Sequence, residues 1–167
     1  MSVARARRER DWLMILLAFR HGLRASEVVG LTADNVRDGF VTVQRLKGSL
    51  RTVQPLLAHA EPLLDEKNAL FEFTREMAGN QRLFPVTRVR FWQIVQQHAR
   101  AAGLPKHKGH PHILKHSIAM QIIDSAGIQN TRQWLGHKSI SSTGEYLKVS
   151  DEQAAEAVAR ASDCLIV

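Results

Sequence analysis

The chain contains a single tyrosine, Tyr146, whose company in the sequence suits covalent attack on a phosphate. A phenol can attack a phosphodiester and hold the broken strand as an ester, provided that cationic and hydrogen-bonding groups stabilise the charge on the phosphate oxygens. Four side chains of these kinds precede it, namely Arg24, His112, Lys115 and His137. A lone tyrosine is otherwise a packing residue whose hydroxyl stays in water. The presence of all four side chains favours Tyr146 as a nucleophile.

Local spacing brings three of these side chains towards one anion. His112 and Lys115 share a face of the first turn of a predicted helix, where free backbone amides and the helix dipole favour a phosphate. His137 follows a helix-ending glycine, so its ring can leave the helix surface and reach the same anion. Each residue has a plainer alternative as a packing or solvated side chain. Together they predict a phosphate-binding site.

The elements that must position these residues are mostly helical. Apolar residues at helical spacing predict a helix that ends near His21-Gly22 and a short helix over 25–31, which places Arg24 at a helix junction. Alternating β-favouring residues predict a hairpin over 40–56 with Lys47 at its tip. The predicted fold class is therefore mainly α with a small antiparallel β-sheet (α+β).

Further helices follow, separated by glycine and proline signals. A basic loop is predicted over 104–111, Gly136 is expected to close a short helix, and Ser139 is expected to cap the helix that bears Tyr146. The helices are predicted over 58–78 with a break near Glu61-Pro62, and over 89–99, 114–126, 130–135 and 151–161.

Composition bounds the class of protein and of partner. The 167 residues, 44% of them apolar and 23% charged, suit a single globular domain, and a net charge of +7 with a pI near 10.2 favours an anionic partner. Nucleic acid is the foremost candidate, although acidic substrates and membrane surfaces also attract cations. The basic side chains predicted to lie on DNA are Arg5, Arg7, Arg8, Arg10, Lys106, Lys108 and Lys138; for the first four, a solvated helix start is the alternative.

Two features bear on the compartment. The single cysteine, Cys164, excludes an internal disulfide and a cysteine-based metal site within one chain, which suits a reducing cytoplasm. The apolar run 12–19 is too short for a signal or a membrane span, so we expect a soluble protein that is not exported.

Four short motifs, in this order, resemble those of the tyrosine recombinases, or phage-type integrases, over about Arg10 to Val149. They are Gly22-Leu23-Arg24-Ala25-Ser26-Glu27, Leu46-Lys47-Gly48, His112-Ile113-Leu114-Lys115-His116, and Leu135-Gly136-His137 through Tyr146. Phe19 to Glu27 and His110-Pro111-His112 look especially like the short fimbrial-switch invertases. The resemblance implies the family's catalytic-domain fold and the activity of a site-specific DNA recombinase, an integrase or invertase.

By this resemblance, Tyr146 attacks the scissile phosphate to give a 3′-phosphotyrosyl link and a free 5′-hydroxyl. Arg24, Lys115 and His137 hold the nonbridging oxygens. The family usually has arginine where this chain has Lys115, and a mobile point charge replaces a planar two-point donor. One lost charge-assisted hydrogen bond, worth roughly 1.5–3 kcal/mol, predicts a competent enzyme that is about ten- to a hundredfold slower.

The resemblance also implies the proton transfers. Lys47 protonates the departing 5′-oxygen, and His112 accepts the proton of the tyrosine or donates to the phosphate. A 5′-hydroxyl from another strand then completes the exchange, and no metal, nucleotide or other cofactor is needed. Glu27 is expected to support Arg24 rather than to react.

The same resemblance sets the expected organisation. We expect one catalytic domain over 1–167, with a basic N-terminal arm over 1–10, a C-terminal helix and tail over 150–167, and no separate N-terminal domain that clamps DNA. The expected partners are double-stranded DNA, further copies of the chain in a tetramer on DNA, and an accessory DNA-binding protein. The expected location is the nucleoid in the cytoplasm of a bacterial or phage-infected cell, away from membranes.

Three alternatives stay open. A type IB topoisomerase uses similar phosphotyrosine chemistry but relaxes arbitrary DNA as a monomer. A DNA-binding regulator descended from a recombinase would bind DNA without forming an adduct. The histidine-rich stretch of His107, His110, His112 and His116 resembles a zinc site, although such sites need tetrahedral closure and usually cysteine or carboxylate partners.

Overall fold

The structure, a computed structural model, describes residues 3–45 and 51–137, with side chains from Glu9 onward. Lys47, Lys138, Ser139, Tyr146 and the predicted helix over 151–161 lie outside the described residues. The predictions made for them therefore stay predictions.

Five helices and three strands make up the described part. The helices are α1 (Val3–Arg20), α2 (Ala25–Gly30), α3 (Glu66–Thr74), α4 (Arg88–Ala101) and α5 (Pro111–Leu135), and the strands are β1 (Val36–Arg37), β2 (Phe40–Val43) and β3 (Thr52–Pro55). Short 3₁₀ turns lie at Ala33–Asn35, Pro62–Leu64 and Lys106–Lys108. The predicted fold class, mainly helical with a small antiparallel sheet, is confirmed.

Local chemistry accounts for the helix boundaries. Asp65 caps α3 by accepting from the Asn68 amide at 3.2 Å, and Thr87 caps α4 by accepting from the Arg90 amide at 3.1 Å. Pro62 ends up in a 3₁₀ turn, so the helix predicted over 58–78 begins only at Glu66. The chain therefore reaches α3 by a turn.

α5 is two helical segments joined at a glycine. Gly127 has φ 75° and ψ 164°, which is not helical, and Gly136 closes the second segment with φ 67°. Glycine alone adopts such angles without a steric penalty. The separate helices predicted over 114–126 and 130–135 match these two segments.

The sheet has the order β1-β2-β3, with both pairs antiparallel. Val41 pairs with Gln54 and Val43 with Thr52. All four of these side chains are buried, while Val53 between the two polar residues is 59% exposed. The inner face of β3 is therefore polar.

Most buried apolar residues form one core between α1, α2, the sheet and α4. Met14, Leu17, Leu23, Phe84 and Phe91 are among its largest members. A smaller cluster of Ile118, Ala119 and Leu135 packs α5 near the end of α1. Within the described residues, none of the helices is long and apolar enough to cross a membrane.

Candidate active site

Arg24 stands at the junction of α1 and α2, as predicted, and is fixed there by Glu27. Its backbone amide donates to Glu27 Oε2 at 2.8 Å, and its Nη1 donates to Glu27 Oε1 at 2.9 Å. The Glu27 side chain is fully buried, whereas the Arg24 side chain is 38% exposed. The Arg24 guanidinium is therefore anchored at one edge and open to solvent at the other.

The pKa of Glu27 lies below its usual value. Burial pushes this pKa upward, but the hydrogen bonds from Arg24 and the charges of Arg45 and Lys115 outweigh burial. Glu27 is thus a buried carboxylate that holds cations in place, in keeping with its expected supporting role.

Lys115 is buried, with only 2% of its surface exposed. Its Nζ donates to the carbonyls of Gly22 and Leu135, both at 2.9 Å. An ammonium has three N–H donors, so these two bonds leave one for a ligand in the cleft that Lys115 lines. Burial, followed by the charge of Arg45, lowers the pKa of Lys115 to about 7, against the opposing effect of Glu27.

Arg45 is a residue that the sequence reasoning missed. It is 3% exposed, and Glu27 Oε2 lies 3.1 Å from its Nη1. It also donates to side chains on the polar face of β3, to Thr52 Oγ1 at 3.1 Å and Gln54 Oε1 at 3.4 Å. The signal was present in the sequence, because residues 41, 43 and 45 alternate onto the buried face of a strand.

Two histidines complete the described part of the site. His112, near the start of α5, is exposed, and its ring stacks on that of His110 with centroids 6.5 Å apart. Although His112 is exposed, partial desolvation of its ring, followed by the charges of His110 and Lys115, lowers the pKa of His112. A histidine that is neutral near pH 7 can accept a proton, as the predicted role requires.

His137 is 7% exposed and follows Gly136, which turns the chain at the end of α5. Burial, followed by the charges of Lys115, Arg24 and Arg45, lowers the pKa of His137 to about 4. The ring is therefore neutral at physiological pH and can serve an anion as a hydrogen-bond donor, not as a cation.

A cleft of about 570 Å³ lies at this site. Its lining includes Arg24, His112 and Lys115, together with Arg88, Val89 and Trp92 of α4. The structure thus brings three of the predicted site residues to one cavity, and the charges of Lys115 and Arg24 also lower the pKa of His137. The wall from α4 was not predicted, although the helix carries Arg88, Arg90 and Arg100 without an acidic residue.

The predicted DNA-binding residues are spread over several elements. Arg5, Arg7 and Arg8 lie within α1, so the basic arm is helical from Val3. Arg10 donates to Asp11 Oδ1 at 2.6 Å, which offsets part of its charge. Lys106 and Lys108 are exposed on their 3₁₀ turn.

The chain is similar to proteins of one family. The model of the phage integrase family matches residues 1–153. Tyrosine recombinase XerA of Pyrococcus furiosus is 35% identical over 164 residues, which cover 92% of this chain and 55% of that protein. The type 1 fimbriae regulatory protein FimE of Escherichia coli is 29% identical over 152 residues, covering 82% of this chain and 73% of FimE.

Solved structures share the fold. The site-specific recombinase XerH bound to its difH substrate in a pre-cleavage complex aligns with a TM-score of 0.71 and 25% identity, over 95% of this chain and 48% of that one. The XerA recombinase crystal structure aligns with a TM-score of 0.68 over 96% of this chain and 64% of that one. The chain spans about half the length of the Xer relatives that it matches.

Proposed function

The chain belongs to the phage integrase family, and we propose that it is a site-specific DNA recombinase that cuts and rejoins DNA through a 3′-phosphotyrosyl intermediate. The observation that carries the proposal is the cleft in which Arg24, His112 and Lys115 meet. Arg24 and Arg45 both pair with Glu27, and the charge of Lys115 also acts on this carboxylate, so positive side chains outnumber the one negative side chain around it. This surplus of positive charge favours a bound anion such as a phosphodiester.

In the proposed cleavage step, the Tyr146 oxygen forms a bond to phosphorus while the bond from phosphorus to the 5′-oxygen breaks. Arg24 and Lys115 stabilise the charge on the nonbridging oxygens, and neutral His137 donates a hydrogen bond to them. His112 accepts the phenolic proton. Lys47 gives a proton to the departing 5′-oxygen.

Rejoining reverses these transfers. A 5′-hydroxyl of another strand attacks the phosphotyrosyl phosphorus, and Tyr146 leaves with a proton. No net bond energy is lost, because one phosphodiester is exchanged for another through an ester of similar kind. The proposed reaction therefore needs no external energy source.

The proposed partners follow from the same chemistry. Exchange between two duplexes cuts four strands, and each protomer has a single tyrosine. Four copies on double-stranded DNA are thus the assembly that we propose. An accessory DNA-binding protein would add sequence information, because contacts to phosphates position a protein without reading bases. XerH, a relative in fold, was solved bound to its difH substrate.

Covalent trapping tests the proposal. The parent and its Tyr146→Phe variant are each incubated with fragmented DNA from the source organism and denatured with detergent, and the attached DNA is sequenced. We expect an adduct with the parent alone, whose DNA ends identify the site. Intact DNA binding without an adduct would favour a regulator of recombinase descent, and adducts at arbitrary sequences would favour a topoisomerase.

A further inference from the structure

We infer that Arg45 is a positioning residue for the proposed cleavage reaction, holding Arg24 in place through Glu27. The inference rests on the proposed function and adds to it a buried residue outside the four recognised motifs. Arg45 lies just beyond β2, two residues before Lys47.

The link from Arg45 to Arg24 runs through one carboxylate. Arg45 Nη1 donates to Glu27 Oε2 at 3.1 Å, and Arg24 Nη1 donates to Glu27 Oε1 at 2.9 Å. Both side chains of the Arg45–Glu27 pair are fully buried, so water screens this interaction little. Arg45 therefore restrains the carboxylate that restrains Arg24.

Arg45 also fixes the backbone on which the site is built. Its guanidinium donates to the carbonyls of His21 at 2.9 Å, Gly22 at 3.0 Å and Trp134 at 3.0 Å. Lys115 shares the Gly22 carbonyl. Arg45 thus joins the turn before Arg24 to the end of α5, which precedes His137.

The geometry requires arginine. The contacts come from Nε and from both terminal nitrogens, and they diverge around a planar group. A lysine ammonium has three donors at one point and cannot reach partners spread around the edge of the guanidinium plane. Arg45→Lys keeps the charge and removes the fixed geometry, which makes it the informative variant.

The first test needs no DNA. NMR relaxation of the arginine Nε–H groups measures how rigidly the Arg24 side chain is held, and thermal unfolding checks the fold. We expect Arg45→Lys to fold but to leave Arg24 clearly more mobile. Arg75→Met, which removes an exposed arginine paired with Glu72, is the matched control and should leave Arg24 unchanged. A folded Arg45→Lys protein with Arg24 as rigid as in the parent overturns the inference.

The second test is a double-mutant cycle on the single-turnover rate of adduct formation at the site found by trapping. We expect Arg45→Lys to slow the parent about ten- to a hundredfold, and to slow an Arg24→Lys background much less, because the two residues act as one unit. Equal losses in both backgrounds would mean that Arg45 acts only on stability, and they overturn the inference. Ile94→Val, a variant of the core, shows how much lower stability alone changes the rate of adduct formation.

Two further outcomes also test the role of Arg45. If the parent forms no adduct, the proposed function fails, while the mobility of Arg24 still tells whether Arg45 holds it. If Arg45→Lys does not fold, Glu27→Gln breaks the same link while keeping the size of the side chain. A folded Glu27→Gln protein with Arg24 unchanged in mobility and in cleavage rate counts against the inference.

Discussion

At the scale of single residues, the lysine at position 115 makes the charge of the site depend on pH. Its pKa of about 7 means that the free protein loses this charge as the pH rises through neutrality. An arginine at the same position keeps its charge throughout, since the pKa of a guanidinium lies far above this range. The substitution therefore gives a direct test of whether the charge matters.

We expect the rate of adduct formation by the parent, divided by that of Lys115→Arg, to fall at least tenfold between pH 7 and pH 9. The ratio is needed because effects of pH on the other groups of the site act on both proteins and cancel in it. Single-turnover measurements at subsaturating DNA report the free protein, where the pKa applies. A ratio that stays constant over this range would show that Lys115 remains charged in the reacting state, or that its charge is not used.

His137 makes a second prediction, on stability in acid. Its pKa is about 4 when folded and near 6.5 when unfolded, so the unfolded chain binds the extra proton between these values. Stability from this group is present above pH 6.5 and lost as the pH falls towards 4, by up to about 3 kcal/mol. Urea unfolding of the parent and of His137→Asn at pH 7 and pH 4.5 checks it.

The asparagine variant should lose less stability than the parent over that pH range. His112 titrates in the same direction, but it is present in both proteins and cancels in the comparison. Equal losses would place His137 in a more solvated setting than the structure gives it.

At the scale of elements, glycine sets how closely α1 and α5 approach. Gly22 has φ 58°, and a Cβ added there would lie 2.5 Å from Leu135 Cδ2. Gly103 also has a positive φ, of 70°, but a Cβ added there meets nothing within 4 Å. Comparing alanine variants at Gly22 and Gly103 therefore separates the free-energy cost of backbone strain from that of overpacking.

We expect Gly22→Ala to destabilise the fold by roughly 2–4 kcal/mol, from backbone strain plus overpacking. Gly103→Ala should cost only about 1–2 kcal/mol, from the backbone alone. Urea unfolding of both variants provides the measurement. If the two costs are equal, Leu135 moves aside freely and the contact between α1 and α5 is loose.

Elements that local signals define were predictable, and those that depend on a buried polar partner were not. Gly22 and Gly136 end helices by their own backbone preference, so α1 and the end of α5 followed from the sequence. The inward face of β3 did not follow, because Thr52 and Gln54 are buried and Val53 is exposed. The polar residues of β3 face inward because Thr52 and Gln54 accept hydrogen bonds from the buried Arg45 guanidinium.

In the candidate site too, local motifs were predictable and buried contacts were not. Arg24, His112, Lys115 and His137 were identified by their motifs, and three of them line one cleft. The burial of Lys115 between two carbonyls was unforeseen, because it depends on how the turn at Gly22 meets the end of α5. The residue types predicted which groups could bind a phosphate, whereas the protonation state of Lys115 depends on its burial in the folded protein.

At the scale of the whole molecule, the net charge of +7 favours DNA as a partner, and the number of phosphate contacts should govern how binding responds to salt. Each phosphate neutralised by a lysine or arginine releases counterions, so the logarithm of the binding constant falls linearly with the logarithm of salt concentration, with a slope of about −0.9 per contact on duplex DNA. Exposed Lys106 and Lys108 are predicted to make two such contacts.

We therefore expect a Lys106→Gln, Lys108→Gln double variant to reduce the magnitude of this slope by about 2 relative to the parent. Fluorescence anisotropy with a labelled duplex of arbitrary sequence, between 50 and 200 mM salt, gives both slopes. The matched control is Lys67→Gln with Arg75→Gln, which removes the same number of charges from α3 and the residue that follows it. An equal change in both proteins would mean that overall charge, rather than the 3₁₀ turn before α5, attracts DNA. A change confined to the first would place phosphates along the turn leading to His112 and Lys115.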